Sequence, residues 1–174
     1  MGGSDLQPEQ LAPGDFILVR SKGAVGWLIR RVTRSPVNHA AILRDDQTVL
    51  EARPKGAVFT DWSQYASRVG KDVIGTARLP LTEAQRTNVP EVAAHLEGTP
   101  YGFLDLLSVG LLQYHIRLWP LRAIVAREDR AICSQLVDEF LQRLGFSIYD
   151  DGRWPGDVTP GDLLWTAVLR SWVT

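Results

Sequence analysis

Asn38-His39-Ala40-Ala41-Ile42-Leu43-Arg44 and Thr48-Val49-Leu50-Glu51-Ala52, joined by Asp45-Asp46-Gln47, are the stretch that decides how this chain is read. Two apolar runs on either side of a short polar connector are the signature of a hairpin. Pairing about Asp46 sets Glu51 opposite Ala41 and His39 opposite Arg53, which makes His39 and Glu51 diagonal neighbours on one sheet face. A histidine at a strand end is mounted on a rigid element and can point into a cleft, as a general base must. Glu51 would then hold the second imidazole nitrogen and fix its tautomer. The plainer reading of Glu51 is a solvated strand-end acid paired with Arg53 or Arg44.

Working outward, Pro13-Gly14-Asp15 is a turn into a strand over Phe16–Arg20. Gly23–Arg34 carries Val25, Leu28, Ile29 and Val32 at helical spacing and is stopped by Pro36. Gly56–Phe59 and Asp72–Leu79 read as strands, and Asp61 as the N-cap of a helix through Arg68. Thr82 and Gln85 form a capping box for a helix to about Leu96. Thr99-Pro100-Tyr101 leads into an apolar helix, Gly102–Tyr114, and His115–Arg130 fits no single element. Ala131–Leu144 is the clearest helix, with Ile132, Leu136, Val137, Phe140, Leu141 and Leu144 as its stripe and Gly145 as its stop. Thr159-Pro160-Gly161-Asp162 opens a last helix, along which Leu164, Trp165, Val168, Leu169 and Trp172 recur at helical spacing. The picture is α+β, with residues 1–12 a loose leader and residues 13–174 one domain.

The 174 residues are 45% hydrophobic and 22% charged, which excludes a disordered or fibrous chain. A net charge of −1 gives no general attraction to nucleic acid. No Gly-rich phosphate cradle, basic stripe or histidine ligand set points to a nucleic-acid partner, a metal or a cofactor. The charge-free part of the apolar stretch, Leu106–Tyr114, is far shorter than the roughly 20 residues of a spanning helix. Met-Gly-Gly-Ser-Asp-Leu-Gln-Pro lacks the basic and apolar regions of a secretory signal, so the cytoplasm is the default location. Export with a phage particle or by a holin-type route leaves no such mark. Nothing in the sequence fixes an oligomeric state.

One cysteine, Cys133, excludes an internal disulfide and a multi-cysteine metal site. It is left as a buried small hydrophobe, a reactive thiol or an intermolecular bridge. A reactive thiol needs a helix N-terminus and a histidine, and Cys133 stands in the first turn of its expected helix. Of the three histidines, His95 follows Glu91 by one helical turn, a surface pairing, and His115 lies among arginines. His39 is the candidate partner.

The order Pro-Gly-Asp plus strand, Asn38-His39-Ala40-Ala41-Ile42, Glu51, Tyr101 and Ile132-Cys133-Ser134-Gln135-Leu136-Val137 resembles the permuted NlpC/P60 papain-like families over about residues 11–165. These are the YiiX/YebB-like bacterial proteins and, more distantly, the lecithin:retinol acyltransferase-like group, in which the histidine precedes the cysteine helix. The resemblance implies a small antiparallel sheet or half-barrel packed on helices that include the cysteine-bearing one. It makes Cys133 the nucleophile, His39 the base and acid, and Glu51 the residue that orients His39. It brings Tyr101, Ser134 and Asn38 to the substrate, although Tyr101 reads equally as a half-buried aromatic opening a helix. The implied activity is cleavage of an amide, in a peptidoglycan-type peptide or another small amide, through a thioester. Phe103–Leu112, Trp119 and the nearby arginines suggest an alternative, a thiol acyltransferase or lipid hydrolase in peripheral contact with a membrane. A non-enzymatic virion or envelope component that retains the fold is a further one.

Overall fold

In the computed structural model, residues 11–53, 56–99, 133–149, 151–152 and 158–173 are described. The expected helix over Gly102–Tyr114, the segment to Arg130, Ile132 and Tyr101 lie outside them. The elements run β1 (Phe16–Val19), α1 (Ala24–Thr33), β2 (His39–Leu43), β3 (Thr48–Arg53), β4 (Gly56–Asp61), α2 (Trp62–Val69), β5 (Val73–Ala77), α3 (Glu83–Leu96), α4 (Cys133–Arg143) and α5 (Pro160–Leu169). The protein is α+β. The five strands among the described residues form one antiparallel sheet in the order β4-β3-β2-β1-β5.

Strand alternation divides the core between the two sheet faces. Phe16, Leu18, Ala40, Ile42, Leu50 and Ala52 join Leu136, Val137, Phe140 and Leu141 of α4 in the larger cluster. Ile17, Val19, Ala41, Leu43 and Val49 join Tyr65 and Val69 of α2 in the smaller one. β1 and β2 are therefore apolar along their whole length apart from His39, because both faces are covered. The hairpin register is the one expected from a turn about Asp46, with Ala41 opposite Glu51 and Leu43 opposite Val49. Asp45 pins that turn by accepting from the backbone N–H groups of Gln47 and Thr48.

Capping chemistry sets several helix ends. Thr82 and Gln85 form the reciprocal capping box at the start of α3, and Thr159 and Asp162 do the same for α5. α4 stops at Gly145, whose φ of +71° lets Phe146 N–H reach the Leu141 carbonyl and Gly145 N–H that of Gln142. Asp61 stands at the N-cap position of α2, but its carboxylate accepts from the Gln64 side chain and makes no bond to the helix backbone.

Two expectations are corrected. Leu11 belongs to the smaller core cluster and Ala12 N–H donates to Asp15, so the loose leader does not extend to residue 12. In α5 the buried side is Leu163, Leu164 and Ala167, while Trp165, Val168 and Leu169 are exposed, Leu169 by 84%. The helix is apolar around most of its circumference, so spacing alone could not select its inner side. Among the described residues no helix is long and apolar enough to cross a membrane.

Candidate active site

His39 is the first residue of β2 and has the face parity of Ala41, so it shares the α2 side of the sheet with Glu51. Cys133 opens α4, which packs on the other side against β2 and β3. The two meet at the strand end, where the Cys133 Sγ lies 4.0 Å from the Asn38 carbonyl, one residue before His39. Asn38 is itself fixed there. Its N–H donates to the Val19 carbonyl, and its Oδ1 accepts from Arg30 of α1 at 2.9 Å.

The His39 Nε2 is 3.4 Å from Glu51 Oε2, an ion-pair contact longer than a good charge-assisted hydrogen bond. That leaves Nδ1 as the nitrogen available to the thiol. Burial pushes the imidazole down, but the charge and hydrogen bonding of Cys133 and Glu51 outweigh it and lift the group to about 9. The direction of that shift favours the imidazolium over the neutral ring.

Glu51 is fully buried, which contradicts its plainer reading as a solvated acid. Its Oε1 accepts from Arg53 Nε and Nη2 at 3.1 and 3.0 Å, from Thr60 Oγ1 at 2.6 Å and from Arg68 Nη2 at 2.5 Å. Burial would raise its pKa, but His39, Arg68 and Thr60 together hold the carboxyl well below the usual range. One oxygen is therefore anchored by three side chains and the other is turned to His39. Arg53 had a sequence signal as the neighbour two along the same strand. Thr60 on β4 and Arg68 on α2 had none, because their approach depends on the β3–β4 pairing and on the seating of α2.

Tyr65 is also buried on the α2 face, and Arg68 lies over its ring with 5.5 Å to the centroid. Burial, followed by the charge of Glu51 and with a smaller share from Cys133, keeps its phenol well above the ordinary value, against the opposing charge of Arg68. No partner for its hydroxyl occurs among the described residues.

A cleft of about 220 Å³ opens beside this pair, lined by Ser21, Lys22, His39, Glu51, Ala52, Arg53, Arg68, Val69 and Asp72. Cys133 is not among these lining residues and is 0% exposed. Ser134 and Asn38 do not come to the cleft either. The Ser134 hydroxyl is buried and donates to the Val158 carbonyl at 2.6 Å, tying the start of α4 to the approach of α5. The Asn38 side-chain oxygen is held by Arg30, so Asn38 positions the strand end and does not line the cleft. Among the described residues no group of three or more His, Cys, Asp or Glu side chains gathers as a metal site would require. No known family model matches the chain, and no characterised protein matches its sequence.

Proposed function

We propose that the protein is a cysteine-dependent hydrolase of the permuted papain-like kind, cleaving an amide bond through a thioester. The observation that carries this reading is the buried His39–Glu51 contact at 3.4 Å beside the thiol at the start of a helix, an arrangement that biases the imidazole toward its charged form. Buried charge is costly to keep, and a perturbed histidine next to a nucleophile is the arrangement catalysis calls for. The residue order described above supports the same reading.

In this mechanism the Cys133 thiolate attacks the amide carbonyl, and the backbone N–H groups at the start of α4, including that of Cys133, receive the oxyanion. The C–N bond breaks as His39 gives its proton to the leaving amine. Water then attacks the thioester, His39 takes a proton from it, and the carboxylic acid leaves as the thiolate is restored. Glu51 stays ionised throughout and keeps the imidazole aimed. A peptidoglycan-type peptide or another small amide is the substrate class.

Cys133→Ala and His39→Ala each abolish turnover of an amide substrate while circular dichroism and Tm show an intact fold. Undiminished turnover in Cys133→Ala overturns the reading. One observation favours a second reading, a non-enzymatic module: the Cys133 sulfur is fully buried and the cleft reaches the imidazole, not the thiol. On that reading a thiol-specific reagent labels Cys133 only when the protein unfolds.

A further inference from the structure

The cleft beside His39 is basic. Lys22, Arg53 and Arg68 line it together with the His39 imidazole, against the carboxylates of Glu51 and Asp72. Lys22 is paired with Asp72 at 3.4 Å. Arg53, Arg68 and His39 all converge on Glu51, so two guanidinium groups and an imidazole share one carboxylate. Arg53 uses Nε and Nη2 there, and Arg68 uses Nη2. The remaining donors, Arg53 Nη1 and Arg68 Nε and Nη1, have no partner among the described residues, and the two side chains are 40% and 43% exposed.

While the cleft is open, water satisfies those donors. A substrate that seals the cleft removes the water. A neutral group would leave guanidinium N–H groups buried and unpaired, whereas a carboxylate accepts them in pairs and offsets the excess positive charge. The volume, about 220 Å³, is below the usual 300–1,000 Å³ of a whole-ligand pocket and suits one end group.

We propose that this cleft is a subsite for a carboxylate of the substrate, with Arg53 and Arg68 as the residues that select it, so that the enzyme acts on acidic peptides or amides. This rests on the hydrolase reading, and it adds a substrate class to it.

The single cysteine makes the test clean, because alkylation reports on Cys133 alone. The full chain is treated with iodoacetate and with iodoacetamide at neutral pH and low ionic strength, and the ratio of rates is compared with that of 2-mercaptoethanol. Both reagents attack the same sulfur, so a change in thiolate population cancels in the ratio. The expected ratio is about tenfold above the small thiol. It falls toward the small-thiol value at about 0.5 M salt. Arg53→Gln lowers it about threefold, and Arg53→Lys retains most of it because the charge stays. A ratio equal to that of 2-mercaptoethanol, or one unchanged in Arg53→Gln, overturns the subsite and leaves the thiol reading standing. Labelling by neither reagent in the folded protein overturns the thiol reading and the subsite with it.

Discussion

Asp15 and Glu51 are alike in being fully buried carboxylates with two arginines each, yet their surroundings differ in what they leave over. Asp15 is engaged at both oxygens. Its Oδ1 accepts from Leu79 N–H and Arg86, and its Oδ2 accepts from Ala12 N–H and faces Arg78 at 3.6 Å. It closes the turn before β1 onto the chain leaving β5, and Gly14, at a φ of +91° that L side chains rarely adopt, makes that turn possible. Glu51 instead concentrates its protein donors on Oε1 and leaves Oε2 for His39. A carboxylate satisfied on all sides holds a fold together. One satisfied on a single oxygen holds another side chain.

Removing each charge in turn separates the two carboxylates most clearly. Glu51→Gln lowers kcat/KM by about 10²- to 10⁴-fold, because the imidazole loses the group that orients and charges it. Its stability cost is about 1–3 kcal/mol, since Arg53 and Arg68 are half-exposed and can hydrate. Asp15→Asn does the reverse, costing about 3–5 kcal/mol because Arg86 is only 18% exposed, with kcat/KM within about threefold of wild type. Urea unfolding and amide hydrolysis on both variants check this. Equal losses of activity erase the distinction.

Acid and base act on the Glu51 site from opposite sides. The folded Glu51 is held below its ordinary 4.5, so its contribution to stability is present above about pH 4.5 and is lost as the pH falls below that. His39 is raised from 6.5 to about 9, so its contribution is complete below about pH 6.5 and is lost as the pH rises through 9. Tm measured from pH 4 to 10 therefore declines at both ends, and His39→Gln flattens the alkaline limb. An unchanged alkaline limb in that variant contradicts the pairing.

Much of this was legible in the sequence because it is local. The connector Asp45-Asp46-Gln47 fixes the register that brings His39 and Glu51 to one face, and Thr82–Gln85 and Thr159–Asp162 carry their own caps. The support for Glu51 was not legible, since Thr60 and Arg68 reach it across strands and from a helix. Ser134 and Asn38 show the converse. The family resemblance placed both at the substrate, but strand and helix geometry turns the Ser134 hydroxyl to the Val158 carbonyl and the Asn38 Oδ1 to Arg30.

The smallest effect concerns Tyr65. Its buried hydroxyl has no partner among the described residues, so Tyr65→Phe removes an unsatisfied group and changes stability by no more than about 1 kcal/mol, in the stabilising direction. A loss of about 3 kcal/mol in urea unfolding would mean that the hydroxyl is bonded after all.

Activation of Cys133 by the His39–Glu51 pair is tested by the pH dependence of iodoacetamide alkylation in the folded protein. Labelling of Cys133 is expected to be stoichiometric, to persist well below about pH 8 and to be slowed at neutral pH by His39→Gln and Glu51→Gln. A thiol that stays unlabelled until the protein unfolds, or that labels with the same pH profile in all three proteins, contradicts it.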